Sequence, residues 1–164
     1  MTKQFIIFIG LTLLLAIPVR AQDVTGAMLG YINAERAANG APPLAYNSQL
    51  ALAAQNHSND MAQNNLLSHP GSDGCSIASR MRVAGYDPAD FSENIAVQNS
   101  DDVFRAYEQW FGSEGHRNNM LSPRFEDVGI AMAVSATGDY YFTMVLGAPR
   151  PALEDLIFVP TEEV

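Results

Sequence analysis

Asp127-Val128-Gly129-Ile130-Ala131-Met132-Ala133-Val134-Ser135, the turn Thr137-Gly138-Asp139 and the return run from Tyr140 to Gly147 decide the fold class. Val128, Ile130, Met132 and Val134 alternate with Gly129, Ala131, Ala133 and Ser135. Successive strand residues point to opposite faces, so one face is large and apolar and the other small. A small face lets a second layer approach closely. Phe142, Met144 and Leu146 share one face of the return run, and the pair reads as an antiparallel hairpin.

Upstream, the periodicity changes from two to between three and four. Val24 to Asn39 reads as a helix through Val24, Met28 and Ile32, with Asp23 as its expected N-cap and Gly40 as its stop. Ser48 to Asn65 is a second helix, capped by Ser48, with Leu50, Ala54, His57 and Met61 along one face. The loop Ser68-His69-Pro70-Gly71-Ser72-Asp73-Gly74 follows. Ser76 to Ala84 is a short third helix stopped by Gly85, and Asn94 to Gln98 a short strand. A fourth helix, capped by Ser100, carries the stripe Val103, Tyr107, Trp110 and Phe111, which is expected to be buried. Helices first and a hairpin last give an α+β fold rather than repeated βαβ units.

The first 21 residues are of another kind. Lys3 precedes an apolar stretch from Phe5 to Ile17, Pro18 interrupts it, and Val19-Arg20-Ala21 puts small residues where a signal peptidase reads. This is the pattern of a secretory signal peptide, with cleavage expected after Ala21. The stretch is shorter than the roughly 20 apolar residues of a membrane span. The expected organisation is 1–21 signal peptide, 22–148 folded domain and 149–164 tail, the tail holding the apolar run Leu156-Ile157-Phe158-Val159. The product is then secreted or periplasmic, with no membrane span once the signal is removed.

The full chain carries a net charge of −9. Removing the first 21 residues takes away Lys3 and Arg20 and leaves seven arginines, no lysine and 18 acidic residues. That surface repels phosphate backbones, which argues against a nucleic-acid partner. It also excludes lysine Schiff-base chemistry. Cys75 is the sole cysteine, so no internal disulfide holds the domain.

Three histidines are available. His57 falls on the apolar face of the second helix and reads as a core residue. His69 and His116 lie in turn-rich segments, Ser68-His69-Pro70-Gly71 and Glu114-Gly115-His116-Arg117, where functional side chains tend to be displayed. Glu93 precedes the strand Asn94–Gln98. Two neutral imidazoles and one carboxylate would suit Zn²⁺ with an open coordination position, although no local ligand spacing supports that set. Cys75 has no catalytic signature around it and reads as an inert thiol. Glu93 with Glu114 is a carboxylate pair of the kind glycosidases use, but sequence separation says nothing about the distance between them. The sequon Asn56-His57-Ser58 falls mid-helix and is discounted.

Several short stretches together resemble the CAP superfamily of cysteine-rich secretory proteins, antigen 5 and pathogenesis-related proteins (the SCP domain), in its bacterial single-domain branch. They are Ile32-Asn33-Ala34-Glu35-Arg36, Pro43-Leu44, His57 with Met61-Ala62, Ser68-His69, Ala84-Gly85-Tyr86, Ser92-Glu93-Asn94-Ile95-Ala96, Trp110 to Leu121, and Phe125 to Gly129. The resemblance implies a three-layer α-β-α sandwich with a small, mainly antiparallel sheet between helices. It also implies a cleft lined by two histidines and two glutamates. His69 and His116 match the histidines and Glu93 the first glutamate. The second glutamate position is Ser113 here, so one anionic ligand is missing. The implied cleft is His69, Glu93, Ser113 and His116, with His69, His116 and Glu93 as the set that can hold a divalent cation such as zinc; no cofactor is otherwise indicated and no catalytic residue stands out. The expected function is a secreted binding module for a small ligand, a cation or an extracellular partner. The alternatives are an interaction domain with a vestigial site and, less favoured, a metal-assisted hydrolase.

Overall fold

A computed structural model describes residues 19–151, with side chains from Thr25 onward. The apolar core of the expected signal peptide and the run Leu156–Val159 both lie outside the described residues. The elements in chain order are α1 (Val19–Ala38), β1 (Ala45–Tyr46), α2 (Ser48–Asn64), α3 (Ile77–Val83), β2 (Pro88–Gln98), α4 (Val103–Gly112), α5 (Glu114–Leu121), β3 (Asp127–Val134) and β4 (Tyr140–Pro149). The sheet order is β1-β3-β4-β2, with β1 parallel to β3 and the other pairs antiparallel. The fold is α+β, as expected.

The hairpin reading holds, with Val128 opposite Leu146 and Ile130 opposite Met144. Its large face meets α1, α4 and α5. There Met28, Ile32, Trp110, Met120, Phe125, Phe142 and Leu146 are buried in one cluster. Its small face meets α2. A Cβ on Gly129 would fall 2.1 Å from the backbone N of Ala51, so helix and strand touch main chain to main chain at that point. Leu50, Ala54, Met81, Tyr86, Ala131 and Val145 fill the second cluster. Trp110 is fully buried, as its stripe requires, and its indole N–H donates to the carbonyl of Ile95 at 3.0 Å.

Several local expectations are corrected. α1 reaches back at least to Val19, the first described residue, rather than starting at Val24, so Asp23 lies inside the helix. The cap of α2 is Asn47, whose side-chain oxygen accepts from the amides of Gln49 and Leu50, rather than Ser48. The cap of α4 is Asp102, accepting from Phe104 and Arg105, rather than Ser100. β2 begins at Pro88 because β4 pairs with it along nearly its whole length. Glu114 to Arg117 is the first turn of a helix rather than a loop, and Ser113 both ends α4 and precedes α5.

Candidate functional site

The candidate site forms along β2. Glu93 faces the α2/α3 layer, and its side chain is fully buried. A buried carboxylate needs compensating charge or hydrogen bonds at both oxygens. His69, from the loop before α3, donates through Nδ1 to Glu93 Oε1 at 3.0 Å. Arg80, on α3, donates through Nη2 to Glu93 Oε2 at 2.7 Å. His57 Nε2 lies 3.7 Å from Glu93 Oε1 but donates to the carbonyl of Ser68 at 2.9 Å.

Arg80 also ties down the loop that presents His69. Its Nη1 donates to the carbonyl of Cys75 at 3.0 Å, and its Nη2 reaches the carbonyl of His69 at 3.1 Å. Ser76 caps α3 by accepting from the amide of Ser79, and the buried Met81 anchors the helix beside Arg80. The imidazole of His69 is half exposed.

The other half comes from the opposite layer. Asn94, the next residue along β2, points to the opposite face of the sheet. Its Nδ2 donates to the carbonyl of His116 at 3.0 Å, and its Oδ1 accepts from Asn119 at 2.9 Å. Burial, followed by the nearby charge of His69, pushes the His116 pKa down. Burial is also the main cause lowering the His57 pKa, partly offset by Glu93. His69 and Glu93 are thus in direct contact, while the main chain of His116 is tied to Asn94, the residue next to Glu93. Ser113 is half-buried one turn before His116 and makes no capping bond to α5.

Sequence reasoning missed Arg80. The available signal was a carboxylate expected inside the fold, which demands a cation from among seven arginines. Spacing did not say which one. His57 is a core histidine as read, yet it borders the site. Glu114 is exposed at the start of α5. The Cys75 thiol donates to Asp73 at 3.1 Å, and that bond raises its pKa, so the thiol stays protonated.

The donor set is short of anionic ligands for a resident divalent cation. Both oxygens of Glu93 are engaged, His57 Nε2 carries its proton toward Ser68, and Ser113 offers only a hydroxyl. Among the described residues, no group of three or more His, Cys, Asp or Glu side chains gathers closely enough to hold a metal. Arg80 pairs with Glu93 Oε2, and the expected His69–His116–Glu93 set is not gathered as a metal-holding group among the described residues.

The model of the CAP family, described as the cysteine-rich secretory protein family, matches residues 29–146. The chain belongs to this family. The CAP domain here is 33% identical over 107 residues to the uncharacterized protein YkwD of Bacillus subtilis, an alignment covering 64% of this chain and 40% of that one. It is similar in structure to an extracellular SCP-domain protein from Bacillus anthracis, with 29% identity and a TM-score of 0.68 over 77% of this chain and 41% of that one. An outer surface protein from Borrelia burgdorferi shares the fold at 15% identity, with a TM-score of 0.70 over 79% of this chain and 95% of that one. The CAP domain therefore spans less than half the length of YkwD and of the Bacillus anthracis protein. No helix among the described residues is long and apolar enough to cross a membrane.

Proposed function

We propose that this chain is an exported CAP-domain binding module whose cleft at His69, Glu93, Ser113 and His116 takes a small polar ligand through hydrogen bonds. One observation carries the reading. Four buried side-chain atoms among the described residues lack a hydrogen-bond partner: His57 Nδ1, Arg80 Nε, His116 Nδ1 and Ser100 Oγ. Three of the four belong to the side chains around this one cleft. Buried polar groups are normally paired, so such a cluster calls for ligand or ordered water. With Arg80 neutralising Glu93 and no second carboxylate in the set, the floor carries no net negative charge. A neutral or anionic ligand with hydroxyl or carboxyl groups suits it. Export is supported by the apolar N-terminal stretch ending at Ala21 and by the extracellular neighbour from Bacillus anthracis.

The test is an NMR screen of small hydroxylated and carboxylated compounds, read at the imidazole nitrogens. A ligand should move the His69 and His116 signals saturably, and a His69→Ala, His116→Ala double variant should lose its binding. A screen that moves neither imidazole contradicts the reading.

A second reading, an interaction domain, is favoured by a different feature. Tyr31 on α1 and Phe104 on α4 are exposed and meet edge to face, with ring centroids 5.2 Å apart. Aromatic rings of this kind are enriched at protein interfaces.

A further inference from the structure

We infer that the Arg80 guanidinium holds the cation position of this cleft, so that a divalent metal is shut out by an internal ion pair and gains entry only when Arg80 is removed. The side chain of Glu93 is fully buried, and a carboxylate buried to that degree persists only beside a positive charge. The structure supplies one at 2.7 Å. One guanidinium balances one carboxylate. A dication in its place would leave a surplus positive charge, because Ser113 brings no second carboxylate, and a dication added beside Arg80 would meet direct repulsion.

Arg80 is not a surface side chain that could swing away to make room. Its side chain is 10% exposed. It is fixed through two backbone carbonyls, of Cys75 and His69, in addition to Glu93. The carbonyl of His69 belongs to the very residue whose imidazole contacts the other oxygen of Glu93. Arg80 therefore closes a ring that runs from Glu93 through His69 and back, and it sets where the His69 imidazole sits. Displacing the guanidinium for a metal would break three hydrogen bonds and free the loop from His69 to Cys75 at the same time. Metal entry is opposed both by charge and by the loop's own anchorage.

The inference does not require that the cleft take a small ligand; a failed ligand screen would leave it standing. It is tested by calorimetric titration of zinc chloride into the exported protein. The wild type should show no saturable site tighter than about 1 mM. Arg80→Gln keeps a polar side chain and removes the charge, and it should bind zinc at least roughly tenfold more tightly, a gain lost when His69→Ala is added. Arg80→Lys keeps the charge and should still exclude the metal. A wild type that binds zinc through His69 and His116 overturns the inference, as does a folded Arg80→Gln with no gain. Should Arg80→Gln fail to fold, the wild type decides alone: zinc at about 1 mM must leave the His69 and His116 imidazole signals unmoved, and a saturable shift overturns the inference.

Discussion

Two buried arginines lie in different parts of the sandwich, and their surroundings differ in an instructive way. Arg36, near the end of α1, is fully buried, and among the described residues no carboxylate pairs with it. Its Nε donates to the carbonyl of Pro42, its Nη1 to those of Met120 and Ser122, and its Nη2 to that of Phe125. Burial lowers its pKa, yet an arginine stays charged. It staples the end of α1 to the α5–β3 connection, and no buried nitrogen of its side chain is left unpaired. Arg80 is paired to a carboxylate but leaves its own Nε unpaired, and His57 and His116 each leave Nδ1 unpaired. A structural arginine is saturated by main chain. The Arg80 cluster holds hydrogen-bonding capacity in reserve, which separates a site from a staple.

The contrast is broken most directly at Arg36. Arg36→Met takes its guanidinium away from four carbonyls, of which that of Ser122 keeps the amide of Phe125, and each buried group left unsatisfied costs about 1–3 kcal/mol before relaxation. A loss of at least ~3 kcal/mol is expected in urea unfolding followed by Trp110 fluorescence. Arg36→Lys should recover little of it, because one ammonium cannot span those carbonyls. A variant of near wild-type stability would remove the staple from the account. The next largest effect belongs to the close α2–β3 contact. Gly129→Ala drives a Cβ into the backbone of Leu50 and Ala51 and should cost about 1–3 kcal/mol by forcing helix and strand apart.

The histidine cluster sharpens the comparison through pH. His57 and His116 have folded pKa values below the ordinary 6.5. As pH falls past 6.5 the unfolded chain takes up protons first, so stability is fully present above that value and is lost as pH falls through the folded values. Thermal midpoints measured from pH 7.5 to 5 should fall, and His57→Gln should flatten the slope. An unchanged slope in that variant would show that His57 is not held neutral by burial. The smallest effect is expected at Cys75. Cys75→Ser should shift stability by no more than about 0.5 kcal/mol and leave both imidazole signals of the cleft in place. A larger change would assign the thiol a role.

Legibility in the sequence followed the range of the interactions. The β3–β4 hairpin was readable because a period of two over eight residues is a local signal, and the small face of Gly129 and Ala131 announced the close layer. Trp110 was readable from its stripe. The caps were not, because Ser48, Asn47, Ser100 and Asp102 are all acceptable side chains within two residues of a helix start, and only backbone geometry chooses between them. α5 was missed because Gly112 and Gly115 flank its start and mimic a turn. In the cleft, His69, Glu93 and His116 could be singled out from their turn-rich segments and strand position, but only the family resemblance grouped them with Ser113 in one cleft. Arg80 could not be found locally: its partner is 13 residues away on another element, and what selects it is the charge demand of a carboxylate that folding buries.

The central claim is that the cleft is held by Arg80, Glu93 and His69 while the outward side of His69 stays free. The chain has only three histidines, so a single long-range proton–nitrogen NMR spectrum at pH 7.5 resolves all of them. The account predicts opposite tautomers for two: His57 protonated at Nε2, which donates to Ser68, and His69 protonated at Nδ1, which donates to Glu93. A His69 ring protonated at Nε2 alone would mean that its bond to Glu93 does not exist, and the site as described would fall with it.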